Sequence, residues 1–268
     1  MRRALIMIVG LFVLLGWVSI PGVEAAQSAD WLGLEQLDRG MIAIRYDVKD
    51  GVKTKLIVAK DQSQYTYVLS ANKPQEVFPL QMGNGDYTVT VLEQVSGTKY
   101  QIIHKAVVPL QLENDSRVFL NSIQNVNWSE GDKPIQLAKK LTRSAQSDEE
   151  RVQTIYEYII GAIRYDKSLA SSKLTDYLPD INRTMTGKKG ICYDYASLFA
   201  SMLRSIGIPT KLVMGTSQYV DVYHAWNEVY LNGKWVTVDT TVDAGWKASK
   251  SEFQMMKDAS QYSAAKYY

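Results

Sequence analysis

Apolar and polar residues alternate, or nearly so, through much of the first half of the chain. Four short runs rich in β-branched and aromatic residues lie at 41–48, 55–60, 64–69 and 87–92, with turn-forming residues between them. Runs spaced by roughly ten residues are typical of a small β-sandwich. The pattern therefore predicts a β-rich domain over residues 27–128. It shows no chemical motif, and its His104 is interpreted as an ordinary strand residue.

The pattern changes to helical spacing in the second half, where residues 129–268 are predicted to form another domain. One helix is expected after Asp132, and a second after a capping box in which Ser147 reaches forward and Glu150 reaches back. Apolar residues that recur every three or four positions are expected to face the core: Ile135, Ala138, Leu141, Val152, Ile155, Ile159 and Ile163. Residues 167–190 lack this periodicity, which predicts a long functional loop.

The first residues have the organisation of a secretory signal peptide. Two arginines precede an apolar run at 4–20, and helix-breaking and small residues follow it. Cleavage is expected after Ala25, with Ala26 as the second choice, so that residues 1–25 are removed. The mature protein would then be secreted or cell-surface or wall-associated, with no stable insertion in the membrane. The alternative is an uncleaved anchor, because the run just reaches spanning length.

Composition removes several classes of function. The net charge is +2, without the clustered basic face of a nucleic-acid-binding protein. One cysteine excludes an intrachain disulfide framework and Cys-rich zinc sites. Two histidines far apart in sequence make a His-based metal site unfavourable, so neither a metal nor a cofactor is expected.

The single cysteine, Cys192, precedes a predicted amphipathic helix. The apolar stripe of that helix is Leu198, Phe199, Met202, Leu203 and Ile206. In the first turn of a helix, free backbone N–H groups and the helix dipole favour the reactive thiolate and can hold an oxyanion. Gly190 is expected to leave room for a substrate backbone. The alternative is that Cys192 packs as a small buried apolar residue.

A histidine and an aspartate follow on a predicted β-hairpin. The Asn-Gly pair at 232–233 is the strongest short-range signal for a two-residue hairpin turn. That turn fixes a register in which Asp239 lies opposite Trp226, and Thr241 lies opposite His224. His224 and Asp239 then share one face of the sheet, close enough for a hydrogen bond. Either residue alone could equally be an ordinary strand or turn residue.

Three segments, at 190–196, 223–229 and 235–239, resemble the signature blocks of the transglutaminase-like cysteine enzymes. Their order, Cys then His then Asp, and their spacing fit the smaller bacterial members, and the chain resembles an exported one. The resemblance covers roughly residues 132–245. It implies an α+β fold with a papain-like core, in which the Cys helix packs on an antiparallel sheet. The small all-β domain predicted from the strand pattern precedes this core, and the resemblance does not reach it.

The resemblance also implies roles for the three residues. Cys192 would be the nucleophile, His224 the general base and then acid, and Asp239 the group that orients the imidazole. Trp226 is expected to pack against them. A second oxyanion donor is expected within 177–189, without a choice of residue, and no calcium site is carried over.

These expectations give an exported cysteine-dependent enzyme that acts on amide bonds through an acyl-enzyme. The substrates would be proteins or peptides, cell-wall peptides among them, and the outcome hydrolysis or acyl transfer. The sequence does not choose between these outcomes, because they depend on whether water or an amine reaches the acyl-enzyme. The alternative is a non-catalytic surface or wall-binding protein that retains the fold.

Overall fold

Strands dominate the first part of the computed structural model, and helices packed on a second sheet dominate the rest. The structure describes residues 24–25, 30–172 and 176–268. The predicted signal peptide and its cleavage sites therefore lie, apart from residues 24–25, outside the described residues. The described strands and α-helices are β1 (Glu24–Ala25), β2 (Leu32–Gly33), β3 (Met41–Arg45), β4 (Thr54–Lys60), β5 (Ser63–Val68), β6 (Gln75–Pro79), β7 (Gly85–Ser96), β8 (Lys99–Leu110), α1 (Lys133–Leu141), α2 (Asp148–Ala162), β9 (Arg164–Tyr165), α3 (Lys167–Ala170), α4 (Ile181–Gly187), β10 (Lys189–Gly190), α5 (Cys192–Arg204), β11 (Thr210–Ser217), β12 (Val220–Leu231), β13 (Lys234–Val238), α6 (Thr240–Ser249), β14 (Met256–Lys257) and β15 (Tyr262–Tyr267).

Two sheets build the N-terminal region. One has the strand order β1-β8-β7-β4-β5, and the other has the order β2-β3-β6. Alternate residues of these strands are buried in one shared cluster, for example Leu56, Val58, Phe78, Val89 and Val108. The expectation of a sheet-rich N-terminal region is confirmed, since this period-two burial is what packs one sheet on the other.

Details of these strands differ from the sequence prediction. Strand β3, predicted at 41–48, ends at Arg45. The β7–β8 hairpin extends well beyond the predicted 87–92 segment. Strand β6 was not predicted, because it is short and ends in Pro79; it pairs only with β3, where proline is tolerated. His104 lies in β8, with its ring stacked on Trp31 at a centroid distance of 5.0 Å.

Both predicted helices before the cysteine form, but their caps differ from expectation. Asp132 precedes α1 without capping it, because its carboxylate accepts hydrogen bonds from Ser129 N and Asn182 Nδ2 instead. Ser147 caps α2 as predicted, accepting from the backbone N–H of Glu150 at 3.2 Å. The Glu150 carboxylate reaches one residue further back than expected and accepts from Gln146 N.

The predicted loop at 167–190 is only partly a loop. It contains α3, α4 and β10. Asp180 caps α4 by accepting from two backbone N–H groups, and Ile181 and Met185 pack into the core beneath it. The prediction was wrong here because a seven-residue helix offers a single i, i+4 apolar pair, too little periodicity to detect.

Helix α5 lies on the antiparallel sheet of the C-terminal part, whose strand order is β14-β13-β12-β11-β15. Helices α1, α2, α4 and α6 surround it. The predicted stripe of α5 is buried from Leu198 to Leu203 in one cluster with residues of α1, α2, β12 and β13. The predicted α+β architecture, with a Cys-bearing helix on an antiparallel sheet, is confirmed.

A smaller apolar cluster joins the two parts of the chain. Met41 of β3 and Val126 of the connecting segment pack there with Ala196 and Ala200 of α5. The alanines allow this close approach because their side chains are small. The Cys-bearing helix α5 therefore packs between its own sheet and the N-terminal region.

Arg204 fixes the other end of α5. Its guanidinium is 3% exposed and donates to the carbonyl oxygens of Asn121, Thr210 and Tyr268 at 2.7–2.8 Å. Burial lowers the pKa of Arg204 to about 9, because removal from water disfavours the charged form.

We expect Arg204→Met to destabilise the fold by about 3 kcal/mol or more, because three buried carbonyls would lose their donor. Urea unfolding followed by circular dichroism measures this loss. The exposed Arg143→Met provides a matched control with little effect. Equal stabilities of the two variants would contradict this role of Arg204.

Candidate active site

Cys192 is the first residue of α5 and is partly exposed. The next turns of the helix are buried, so the thiol lies where the helix reaches the surface. Gly190 serves the helix start rather than a substrate: a Cβ at this position would lie 2.6 Å from Asp194 Cβ. The Asp194 carboxylate occupies that space and accepts from Ile191 N at 2.9 Å. The expected role of Gly190 is therefore corrected.

The β12–β13 hairpin brings His224 and Asp239 together, although the strand register ends earlier than predicted. Pairing follows the predicted register from Leu231–Lys234 to Asn227–Val238 and stops there. Asp239 consequently does not pair with Trp226, nor Thr241 with His224. The chain turns into α6 instead, because Asp at this position is a strong N-cap residue.

The Asp239 carboxylate divides its two oxygens between helix and histidine. Oδ1 accepts from the backbone N–H groups of Thr241 and Val242, at 3.2 and 3.1 Å. Oδ2 lies 2.8 Å from His224 Nε2, and both side chains are buried. The helix cap therefore locks the carboxylate in the position that orients the imidazole.

Two aromatic residues complete this buried arrangement. The Tyr262 hydroxyl donates to the same Asp239 Oδ2 at 3.1 Å, and burial together with Asp239 raises the pKa of Tyr262. Trp226 stacks near His224 at a centroid distance of 6.2 Å and contacts Tyr262 at 4.9 Å. Trp226 thus packs against the site as expected. Tyr262 was missed because it lies on β15, beyond the three signature blocks, and no motif marks it.

His224 also interacts with the thiol. Burial opposes its charged form, but the hydrogen bonds to Asp239 and to Cys192 outweigh burial and raise the pKa of His224 to about 9. Because Nε2 is turned to Asp239, the other ring nitrogen, Nδ1, is the one available to Cys192. The raised pKa of His224 favours an imidazolium beside the cysteine at neutral pH.

A cavity of about 570 Å³ opens beside Cys192 and His224. Tyr165 lies on its wall, because β9 pairs with β10 and puts Tyr165 in register with Gly190. Burial and the neighbouring Cys192 raise the pKa of Tyr165. In the segment 177–189, where a second oxyanion donor was expected, the Tyr177 hydroxyl is bound to Asp194 Oδ1 at 2.6 Å. Tyr165, outside that segment, is the phenol beside the cysteine.

Neither a metal-ligand cluster nor a membrane-spanning helix occurs among the described residues. No group of three or more His, Cys, Asp or Glu side chains is placed there to hold a metal ion. Within the same part of the chain, no helix has the length and hydropathy needed to cross a membrane. The apolar run at 4–20 lies outside it.

Residues 135–240 match the sequence profile of the transglutaminase-like superfamily. The chain therefore carries a transglutaminase-like domain, as its three signature blocks predicted. This domain contains Cys192, His224 and Asp239.

Two curated relatives match part of the chain. Kyphoscoliosis peptidase from Mus musculus is 37% identical over 122 residues, and the human protein is 36% identical over 122 residues. Each match covers 41% of this chain and 18% of the relative. The chain thus spans about a fifth of the length of these relatives.

Solved structures with a similar chain path include a candidate cysteine protease from Cytophaga hutchinsonii. It is 17% identical, with a TM-score of 0.43, over 85% of this chain and 83% of its own. The periplasmic domain of TgpA from Pseudomonas aeruginosa is 13% identical, with a TM-score of 0.35, over 82% of this chain and 93% of its own.

The raised pKa of His224 predicts a pH-dependent contribution to stability. Because this pKa rises from 6.5 to about 9 on folding, the contribution is fully present below pH 6.5 and is lost as the pH rises through 9. The difference in unfolding free energy between wild type and His224→Gln should therefore shrink from pH 6 to pH 9.5. Urea unfolding at several pH values measures it.

His104→Gln is the control, because it removes the other histidine from the unfolded chain as well. If the loss of unfolding free energy depended on pH in the same way in both variants, the His224–Asp239 pair would not be the source of that dependence.

Proposed function

We propose that this chain is a cysteine-dependent enzyme that acts on amide bonds of proteins or peptides through an acyl-enzyme. The observation that carries the proposal is the position of His224, which is hydrogen-bonded to Asp239 and lines the same open cavity as Cys192. A structural histidine needs no thiol at a helix start and no cavity, whereas a nucleophilic cysteine needs both. The membership of peptidases and acyltransferases in the superfamily supports the same reading.

The chemistry follows from the positions of these groups. His224 takes the proton of the Cys192 thiol, and the sulfur attacks the carbonyl carbon of the scissile amide. The imidazolium then gives that proton to the leaving amine nitrogen as the C–N bond breaks, which leaves a thioester on Cys192. Water or a second amine attacks the thioester, with His224 again removing a proton, and releases the acid or the new amide.

Two donors are placed to stabilise the tetrahedral intermediate. The backbone N–H of Cys192 is free at the start of α5, since no residue of the preceding turn can accept from it within the helix. We assign the second donor to the hydroxyl of Tyr165, a residue that lines the same cavity as Cys192. Tyr165→Phe should lower kcat more than it changes KM, because an oxyanion forms only in the transition state.

Asp239 and Tyr262 act through His224. The carboxylate fixes the imidazole so that Nε2 carries its proton toward Asp239 and Nδ1 faces the sulfur. Tyr262 donates to that carboxylate and limits its other orientations. Both are therefore positioning residues rather than reacting groups.

The basic start, apolar run and small residues of 1–25 support an exported protein with peptide or wall-peptide substrates. The mature chain is accordingly expected to begin at Ala26 or Gln27 and to be recovered outside the cytoplasm. Intact-mass measurement of protein from culture fractions checks this. A membrane-bound product that retains residues 1–25 would replace secretion with an anchor.

The proposed roles of Cys192 and Asp239 are tested with activated acyl esters and three variants. Cys192→Ala and Cys192→Ser should lose the covalent acyl adduct seen by mass spectrometry, with melting temperatures close to wild type. Asp239→Asn should lower turnover by roughly 10²–10⁴-fold, because an amide favours the wrong tautomer of the imidazole.

The exposed Asp86→Asn, outside the site, is a matched control that should keep full turnover. If Cys192→Ala retained wild-type turnover and adduct, the nucleophile would lie elsewhere. If no acyl adduct formed on the wild type, the non-catalytic alternative would replace an enzyme.

A further inference from the structure

The cavity beside Cys192 is bounded mainly by apolar side chains from three elements. Helix α2 contributes Ile160 and the following segment Ile163, α6 contributes Val242 and Trp246, and β12 contributes Val222. A volume of about 570 Å³ is within the usual range for sites that enclose a small organic group. An apolar recess of this size beside a nucleophile is suited to a side chain of the substrate.

Its aromatic wall is held in place. Trp246 meets Tyr219 edge to face at a centroid distance of 5.2 Å, and Lys257 Nζ lies 4.7 Å from the Trp246 ring centroid. Lys257 is itself buried and paired with Asp243, which accepts from Tyr156 at 2.7 Å. The recess is therefore preformed and need not be ordered by the substrate.

The opposite wall lacks a side chain at one position. Gly161 lies on α2, and a Cβ built there would meet only Lys247 Nζ, at 3.3 Å. The absence of a side chain at Gly161 thus adds to the free volume of the cavity.

The charges that line the cavity have one sign. Arg164 and Lys247 are on its wall, and the described lining residues include no Asp or Glu. A cationic substrate side chain would meet two like charges and no counter-charge there. Val222, which lines the cavity, is 65% exposed, so it adds apolar surface that a substrate can reach from solvent.

We propose that this cavity binds a bulky apolar side chain, aromatic or branched aliphatic, of the residue whose backbone carbonyl Cys192 attacks. The inference rests on the proposed function and names its substrate class. The acyl group stays bonded to the sulfur in the intermediate, so the side chain nearest to that carbonyl is the one that reaches the recess. A peptide bond after a large apolar residue is the substrate, and a bond after Lys or Arg is excluded.

The test uses N-acetyl p-nitrophenyl esters of Phe, Leu, Ala and Lys. The Cys192 sulfur displaces p-nitrophenolate and forms a thioester, which water hydrolyses to the acid. After subtraction of the rate with Cys192→Ala, kcat/KM for the Phe and Leu esters should exceed that for Ala at least tenfold. The Lys ester should fall below Ala. In an apolar pocket, one methylene group more or less on the substrate typically changes kcat/KM by about 10–200-fold.

Filling the recess should remove this preference. Gly161→Leu should lower the Phe-to-Ala ratio of kcat/KM about tenfold, since the new side chain takes the space of the substrate. Gly187→Leu is the matched control, because Gly187 is also helical, has room for a Cβ and lies outside the cavity. Val222→Asp should also lower the ratio, whereas Val95→Asp, 61% exposed at a distant site, should not.

Thermal melts establish that each variant folds. If Gly161→Leu does not fold, Gly161→Ala replaces it, with a smaller expected decrease in the Phe-to-Ala ratio of kcat/KM. The inference is overturned if the Ala ester is used as well as the Phe ester, or if the folded Gly161 and Val222 variants keep the wild-type ratio. If turnover still depends on Cys192, either of these results overturns the substrate class but not the proposed function. Loss of all Cys192-dependent turnover would overturn that function, and the substrate class with it.

Discussion

The burial of helix α5 is the constraint on which the rest of this structure depends. From Asp194 to Arg204 every residue of the helix is buried, so its start is the only part that can meet a substrate. Apolar packing against the sheet fixes its rotation, small alanines allow the N-terminal region to lie against it, and the Arg204 guanidinium fixes its far end. The same contacts therefore fix the position of Cys192, the first residue of the helix.

The second constraint is the double use of Asp239. One carboxylate oxygen caps α6 and the other faces His224, so the same residue ends a strand, begins a helix and orients the imidazole. Burying a carboxylate is costly unless every oxygen has a partner. Backbone N–H groups, an imidazole and the Tyr262 hydroxyl supply those partners.

The cavity and the position of His224 depend on the same helix, α6. Residues of α2 and α6 form apolar walls of the cavity that Cys192 and His224 line. Helix α6 serves both ends of this arrangement, because its cap holds His224 and its following turns carry Val242 and Trp246. The orientation of His224 and the shape of the cavity are thereby linked through one short helix.

The sequence by itself determined the sheet-rich first part, the helices on a second sheet and the approach of His224 to Asp239, because period-two and helical spacing and an Asn-Gly turn are local signals. It also indicated the family through three short blocks. Only the tertiary structure decided that Asp239 caps a helix, that Gly190 makes room for Asp194, and that Tyr165 and Tyr262 join the site. These contacts join residues far apart in the chain or depend on where a strand gives way to a helix, and packing rather than local pattern sets both.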